Sequence, residues 1–480
     1  MNVNKLPTEI LQQILKRVAM GPEQNMATAA PALRRHLLGV CFRWREIILN
    51  MAELWTFVRI YLIKTEYEGK EATFQNALAT LDLNLSRTSS QLLDIYWHTS
   101  LDGSHVTQLF KVINTRAPFC RWRSLEIDTD FWHSYKLHSI RSDDRFSNLE
   151  SLKIRWCQRE GLLLLINSTI SSNFRSFHNI GAYTPADLLR DRISNIMSRA
   201  TELTLPNFGA ALLPPLPPQI TTLFIWSMTL QNTAHIHDLT VHLSPTISQF
   251  FDHDWSSLVS LDVLFTRTQY SHALPQQTIL FPRLQTLVVR EGRFRSLISI
   301  SAPSLVSLRL ERGHESIEKA NRSLFDTISH PSYTVTSMGK LEIGFPLSPM
   351  VLASVIRDFS AVELLGFGFD DSYDGWEVIR HVICERRYVK VEWSKRLKDN
   401  FMAGVRILEL QMNWILGDNA FENPWKAYTA KIFEDIPGKQ LETIRCLWPR
   451  GDSWELTRLN WEKSHSKVDG LKQEEGHCAL

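Results

Sequence analysis

The chain has 480 residues, 44% of them hydrophobic, and a formal net charge of +2. That is enough apolar side chain for a large core or for a small domain followed by a long array, and too little net charge to point to nucleic acid or a membrane surface. No apolar run approaches the ~20 residues needed to cross a bilayer, and charges and amides interrupt the N-terminus before any signal-peptide core forms.

The six cysteines (41, 120, 157, 384, 446 and 478) are scattered, with no CxxC pair. This fits reduced thiols in the cytoplasm or nucleus rather than a disulfide framework or a zinc site. Only two residues follow Cys478, whereas a prenylation box needs three, so no lipid anchor is expected there.

In chain order, Ile10, Leu11, Ile14, Leu15 and Val18 come first and keep one helical face. Pro7 suits the first helical position, where its missing N–H costs nothing. A second apolar stripe recurs at Leu33, Leu37, Val40, Cys41, Trp44 and Ile48, and Leu54-Trp55 follow. Three short amphipathic helices of this kind make a small bundle, marginal by itself, that gains most from packing leftover apolar surface on a partner.

The order Leu6-Pro7-x-Glu9-Ile10-Leu11, then Val40-Cys41-x-x-Trp44-Arg45, then Leu54-Trp55 resembles the F-box. The F-box is the module by which substrate receptors dock on the Skp-type adaptor of Skp–cullin–F-box ubiquitin ligases. The resemblance covers residues 1–60. It implies that Leu6, Pro7, Ile10, Leu11, Val40, Cys41 and Trp44 form or support the adaptor-binding surface. The stretch from Ala19 to Pro31 is longer than the connection in many F-boxes; similar insertions occur in F-box proteins of mushroom-forming fungi. A surface loop is expected there, tolerated at small entropic cost.

Residues 61–90 read as a helical connector. Lys64 to Lys70, charged and containing Gly69, suits an exposed turn. Phe74, Leu78, Leu81 and Leu85 then share one helical face, and Gln91 to Trp97 reads as a first strand.

From there one pattern returns: apolar, two variable, apolar, one variable, apolar. It stands at Leu149-x-x-Leu152-x-Ile154, Ile220-x-x-Leu223-x-Ile225, Leu258-x-x-Leu261-x-Val263 and Leu284-x-x-Leu287-x-Val289. It returns at Leu305-x-x-Leu308-x-Leu310, Met338-x-x-Leu341-x-Ile343, Val362-x-x-Leu365-x-Phe367 and Val405-x-x-Leu408-x-Leu410. Weaker copies lie at Leu125-x-Ile127, Leu203-x-Leu205, Leu239-x-Val241 and Leu441-x-x-Ile444. The middle positions Leu125 and Leu152, Leu239 and Leu261, Leu261 and Leu287, and Leu287 and Leu308 are 27, 22, 26 and 21 residues apart, inside the leucine-rich-repeat period of about 20–29 residues. Each apolar pair alternates with period two, so it is a short strand that buries one face. One strand cannot bury that face alone, and stacked copies make a parallel sheet. A doubly wound α/β domain also alternates strand and helix, but several spacings are shorter than its unit of about 30 residues.

The returns between strands are helical in places. Thr184-Pro185-x-Asp187 resembles a capping box, with Leu188, Leu189, Ile193, Ile196 and Met197 on one face. Ser348-Pro349 opens a helix carrying Leu352, Val355, Ile356 and Phe359. Asp374-x-x-Glu377 opens another with Val378, Val382 and Ile383. Pro214-Pro215-x-Pro217-Pro218 reads as a stiff loop between repeats, with an SH3 or WW recognition motif as the alternative. Residues 459–480 hold few large apolar side chains and read as a disordered tail.

No sequence signature of an active site is present: no phosphate-binding glycine loop, no G-x-S-x-G elbow and no H-E-x-x-H. On a strand His235 and His237 would share a face, with His242 beyond, but no cysteine or carboxylate cluster completes a metal set, and exposed polar histidines are the better reading. Asp370, Asp371 and Asp374 lack the twelve-residue calcium-loop pattern and read as helix caps. Alternation within the strands turns Lys153, Arg155, Phe224, Trp226, Thr240, His242, Arg290, Arg309, Glu311 and Glu342 outward. In a leucine-rich array that row lines the concave face. Lys153, Arg155, Phe224, Trp226, Arg290 and Arg309 are therefore the expected target-binding residues, suited to an acidic or phosphorylated segment.

The sequence therefore predicts an α/β chain: a small helical F-box bundle (1–60), a helical connector (61–90), and an irregular leucine-rich-repeat solenoid with a parallel sheet (91–458). The expected function is that of a non-catalytic substrate receptor, with no cofactor. Its expected partners are a Skp-type adaptor, a cullin reached through that adaptor, and a protein target, with no nucleic acid or membrane. A scaffold built on the same adaptor, or an enzyme with a dispersed site, are the alternatives.

Overall fold

The computed structural model describes residues 6–19, 36–128 apart from 68–69, 100 and 102, 146–156, 172–179, 194, 196–205, 215–225, 233–244, 253–265, 278–290, 294–312, 316–330, 333, 338–359, 362–369, 405–412, 441–447, 453–458 and 460. The chain divides into two compact units, Met1–Gln231 and Asn232–Leu480.

The first unit opens with helices α1 (Thr8–Ala19) and α2 (Phe42–Asn50) and a 3-10 turn, Ala52–Trp55. Strand β1 (Phe57–Leu62) follows at once, then α3 (Lys64–Tyr67), α4 (Glu71–Ser86), β2 (Leu93–Thr99), α5 (Gly103–Arg116) and β3 (Trp122–Asp128). Strands β4 (Ser151–Trp156), β5 (Ser176–Asn179), β6 (Glu202–Leu205) and β7 (Thr222–Ile225) complete it. From β1 to β7 each strand pairs in parallel with the next in chain order.

Two expectations are corrected here. The segment beginning at Gln91 is the second strand, not the first, because β1 pairs with it from Phe57 onward. The sheet therefore starts inside the region assigned to the bundle. Alternating burial along Phe57–Leu62, with Val58, Ile60 and Leu62 inward, is the period-two signal that marks it. The expected exposed turn at Lys64 to Lys70 also holds a short helix, α3.

The second unit contains β8 (Asp238–Ser244), β9 (Ser260–Phe265), β10 (Ile279–Leu280), β11 (Thr286–Arg290), β12 (Ile300–Ser301) and β13 (Ser307–Glu311). Helix α6 (Ile317–Ile328), β14 (Lys340–Pro346), α7 (Pro349–Asp358), β15 (Leu364–Phe369), β16 (Ile407–Met412), β17 (Thr443–Leu447) and β18 (Ser453–Thr457) follow. Its main sheet runs β8-β9-β11-β13-β14-β15-β16-β17 in parallel. The last strand, β18, adds to β17 antiparallel. Strands β10 and β12 pair separately.

Every quoted copy of the apolar pattern ends on a strand with its last two apolar residues inward. Leu152 and Ile154, Leu261 and Val263, Leu308 and Leu310, and Leu408 and Leu410 are all essentially inaccessible. They also stack in register, as in the run Leu239, Leu261, Leu287, Leu308, Leu341, Leu365, Leu408 and Ile444. Burying one such side chain stabilises by about 1.5–3 kcal/mol, so the stacked column is a main source of cohesion. In the second unit Cys446 extends the neighbouring inward column, and burial pushes its thiol up to about 12, well away from reactive thiolate chemistry.

Backbone bonds fix the stacking. One carbonyl ahead of several of the strands accepts two successive N–H groups of the next strand's lead-in, as His237 does from Val259 and Ser260, Val259 from Gln285 and Thr286, and Gln285 from Val306 and Ser307. The first apolar residue of many copies closes a turn onto the carbonyl three residues before it, as Leu149 does on Phe146, Leu258 on Trp255, and Leu284 on Phe281. Phe146, Trp255 and Phe281 are themselves buried, so an aromatic anchors each of these turns.

Helix α4 buries Phe74, Leu78, Leu81 and Leu85, as their spacing predicts. Helix α7 starts with Pro349 in its first turn after Ser348 and buries Leu352, Val355 and Ile356. Ile196 and Met197 are buried, while Leu188, Leu189 and Ile193 of the same expected helix lie outside the described residues, as do the helix expected from Asp374 and the tail 461–480. In the proline-rich stretch Leu216 is buried and the Ile220 N–H bonds to the Pro217 carbonyl, a stiff turn that leads into β7.

Candidate functional site

Two surfaces were expected to bind partners. The first is the N-terminal bundle. Its core is Leu11, Leu15, Leu37, Ile47, Ile48, Met51, Leu54 and Trp55, with Leu38, Trp44 and Leu49 packed against it. The Trp55 indole N–H donates to the Ile48 carbonyl at 3.0 Å, and the Arg87 guanidinium lies 4.6 Å over its ring. Burial, then the neighbouring Arg45, lowers the pKa of Arg87. The bundle is thus tied to the end of α4.

Within the described residues, the stripe from Leu37 to Ile48 is not one helix. It breaks at Gly39–Cys41, and Cys41 becomes the residue before α2 in extended conformation. The break leaves Val40 55% and Phe42 77% exposed. On α1, Leu11 and Leu15 face the core while Ile10 and Ile14, one turn apart, remain accessible at 43% and 37%.

Of the expected adaptor-binding residues, Pro7, Ile10 and Val40 are therefore exposed, and Leu6, Cys41 and Trp44 are half-buried. Leu11 is fully inside, so it can support this surface but not touch a partner. The Trp44 indole N–H is buried and makes no hydrogen bond among the described residues. Phe42, the most exposed large apolar side chain of the bundle, escapes the stripe analysis because it sits at the first position of α2, off the apolar repeat.

The second surface is the outward row of the strands. Lys153, Phe224, Thr240, Arg309 and Glu342 are exposed or half-exposed between inaccessible neighbours, as alternation predicts, and Arg290 and Glu311 are half-exposed at the ends of their strands. Lys153, Arg155 and Phe224 belong to the first unit, and Arg290 and Arg309 to the second. Trp226 lies outside the described residues, and so does the side chain of His242.

The basic residues are already matched. Lys153 and Arg155 reach Glu126 of the adjacent strand at 3.2 and 2.7 Å. Arg290 reaches Asp262 at 2.8 Å and Glu311 at 3.5 Å, and Arg309 reaches Glu311 at 2.9 Å. An acidic target would have to displace those carboxylates before these cations could hold it.

A polar chain absent from the sequence expectations crosses β5 and β6. The Ser176 hydroxyl lies 2.5 Å from Nε2 of His178, and Nδ1 lies 2.6 Å from the Thr204 hydroxyl. Burial lowers the His178 pKa, against the opposing pull of Glu202. With hydroxyls on both ring nitrogens and Ser176 itself buried, this is a cross-strand tie rather than a nucleophile and its base.

His235 and His237 lie in the turn ahead of β8, not on a strand face. Among the described residues no group of three histidine, cysteine or carboxylate side chains is placed to hold a metal ion. No helix there is long and apolar enough to cross a membrane. No protein-family model matches the chain, and no curated protein matches it.

Proposed function

We propose that the chain is a substrate receptor of a Skp–cullin–F-box ubiquitin ligase, built from an F-box bundle and an irregular leucine-rich-repeat solenoid. The observation that carries this reading is the division of apolar residues in the bundle. Leu11, Leu15 and Ile48 complete a core, yet Ile10, Ile14, Val40 and Phe42 stay in water beside it. Four exposed large apolar side chains on so small a module favour burial against a partner. The resemblance of the order Leu6-Pro7, Val40-Cys41-x-x-Trp44 and Leu54-Trp55 to the F-box supports a Skp-type adaptor as that partner.

In this reading the repeats hold a protein target and the cullin reached through the adaptor brings in a charged conjugating enzyme. The receptor forms no covalent bond. It raises the effective concentration of target lysines near the activated ubiquitin. Such a receptor works in the cytoplasm or nucleus, where the scattered thiols stay reduced.

The test is co-expression with a Skp-type adaptor and a cullin, followed by size-exclusion chromatography. Co-elution of all three, with loss of adaptor and cullin together in a Leu6→Ala, Pro7→Ala variant, supports the reading. Elution of the chain apart from the adaptor rejects it. Co-elution with adaptor but not cullin would favour a scaffold outside ubiquitylation.

A further inference from the structure

In the first unit the outward faces of β1 and β2 carry Arg59 opposite Tyr96 and Tyr61 opposite His98, in register. The Tyr61 and His98 rings stack at 4.8 Å and 9°, and Tyr96 is nearly parallel to His98 at 6.5 Å. The Arg59 guanidinium lies 4.9 Å over Tyr61 and 5.4 Å from the Tyr96 ring centroid.

The other strand-borne cations of this face have carboxylate partners: Arg123 with Asp94, and Lys153 and Arg155 with Glu126. Arg59 makes no ion pair among the described residues, and it is exposed.

Stacking on aromatic faces holds a guanidinium flat while leaving its N–H edge open. That edge matches a carboxylate or phosphate oxygen pair in fork geometry, and the ordering that a free arginine would lose on binding is already lost here. Asp94 pairs with Arg123, and Glu126 with both Lys153 and Arg155, so among the described residues Arg59 is the strand-borne cation of this face with no carboxylate in ion-pair reach. One anionic group suits it; a polyanion would meet those carboxylates.

We propose that Arg59, Tyr61, Tyr96 and His98 form an anchor for a single oxyanion, carboxylate or phosphate, carried on an extended segment of the target protein. This rests on reading the chain as a target receptor. The anchor begins four residues after Trp55 of the bundle core, so a target held there sits close along the chain to the adaptor-docking module. Aromatic side chains beside the charge supply contact area for the residues flanking it.

The test uses the full chain with fluorescein-labelled degenerate peptide pools fixed at the centre as Asp, Glu, phosphoserine, phosphotyrosine, Ala or Lys, read by fluorescence polarisation. The expected result is at least about tenfold tighter binding of an acid- or phospho-centred pool than of the Ala pool. Whichever of those pools wins identifies carboxylate or phosphate as the source. Arg59→Gln should abolish the preference with unchanged thermal unfolding, and Arg59→Glu should turn it toward the Lys pool. Equal binding of acidic and Ala pools, or retention of the preference in Arg59→Gln, overturns the proposal. So does a labelled single-stranded oligonucleotide that outcompetes the preferred pool. Adaptor capture by the same preparations is scored separately: a failed anchor with intact capture rejects only the anchor, and failed capture rejects the receptor reading itself.

Discussion

The Arg43 guanidinium donates to the Leu6 carbonyl at 2.7 Å, joining α2 to the chain two residues ahead of α1. It also reaches the Thr8 hydroxyl at 3.2 Å. The two parts of the motif, far apart in sequence, are therefore clamped together by an arginine that the motif does not include. Arg43→Met should loosen the start of α1 and cost about 1–2 kcal/mol, the range of a partly exposed charge-assisted bond. Urea titration gives the cost, and faster exchange of the Leu11 amide, which bonds to the Pro7 carbonyl, gives its location. Unchanged exchange there would refute the clamp.

Exposed and buried apolar residues of the bundle should separate binding from stability. Leu11→Ala empties a fully buried site and should cost about 2–5 kcal/mol. Phe42→Ser removes an exposed side chain and should stay within about 0.5 kcal/mol of wild type while weakening adaptor binding. Denaturant midpoints and adaptor titration on the same two variants decide it. Equal stability losses would mean that Phe42 is packed in solution.

Gly366 and Gly368, alternate residues of β15, should differ sharply on substitution. A methyl at Gly368 would lie 2.6 Å from backbone atoms of Phe345 in the neighbouring strand, and backbone cannot swing aside as a side chain can. At Gly366 the nearest atoms belong to Glu342 and Glu409 side chains at 3.5 Å, ordinary contact. Gly368→Ala should destabilise by about 1–3 kcal/mol or more, and Gly366→Ala by much less. Thermal unfolding of the pair measures the difference.

His178 gives a stability term with a definite sign. Burial holds its pKa below the ordinary 6.5, so between the two values the unfolded chain binds more protons than the folded one. Stability from this group is present above pH 6.5 and is lost as the pH falls through that window. His178→Gln should flatten the decline in stability just below pH 6.5 relative to wild type. An unchanged slope would contradict a half-buried imidazole whose pKa is held below the ordinary value.

The sheet was largely legible in the sequence, and the reason is physical. Leu152-x-Ile154 and its relatives must alternate to bury one face, and no other element produces that spacing so often. Strand β5 escaped because its four residues, Ser176–Asn179, carry one inward apolar side chain, Phe177, and otherwise hydroxyl, imidazole and amide groups. Strand β1 escaped because it follows the bundle without a turn signal. The aromatic three residues ahead of several copies, such as Phe146 or Trp255, is a usable signal that alternation alone ignores.

The outward row was legible in direction but not in charge state. Alternation turns Arg290 and Lys153 outward, but which carboxylate meets each depends on strand register, and register lies outside a single repeat. The same limit hid the anchor candidate, because Arg59 and Tyr96 become neighbours only through the pairing of β1 with β2.

The most direct measurement of the central claim is calorimetric titration of a purified Skp-type adaptor into three forms of the chain: wild type, an Ile10→Asp, Phe42→Ser double variant, and Leu83→Ser. Leu83 is exposed on α4 and is not part of the bundle core, and it serves as the control. The account predicts one-to-one binding by wild type and by Leu83→Ser, and about hundredfold or greater weakening in the double variant. Equal affinity for all three, or no binding by any, would contradict it.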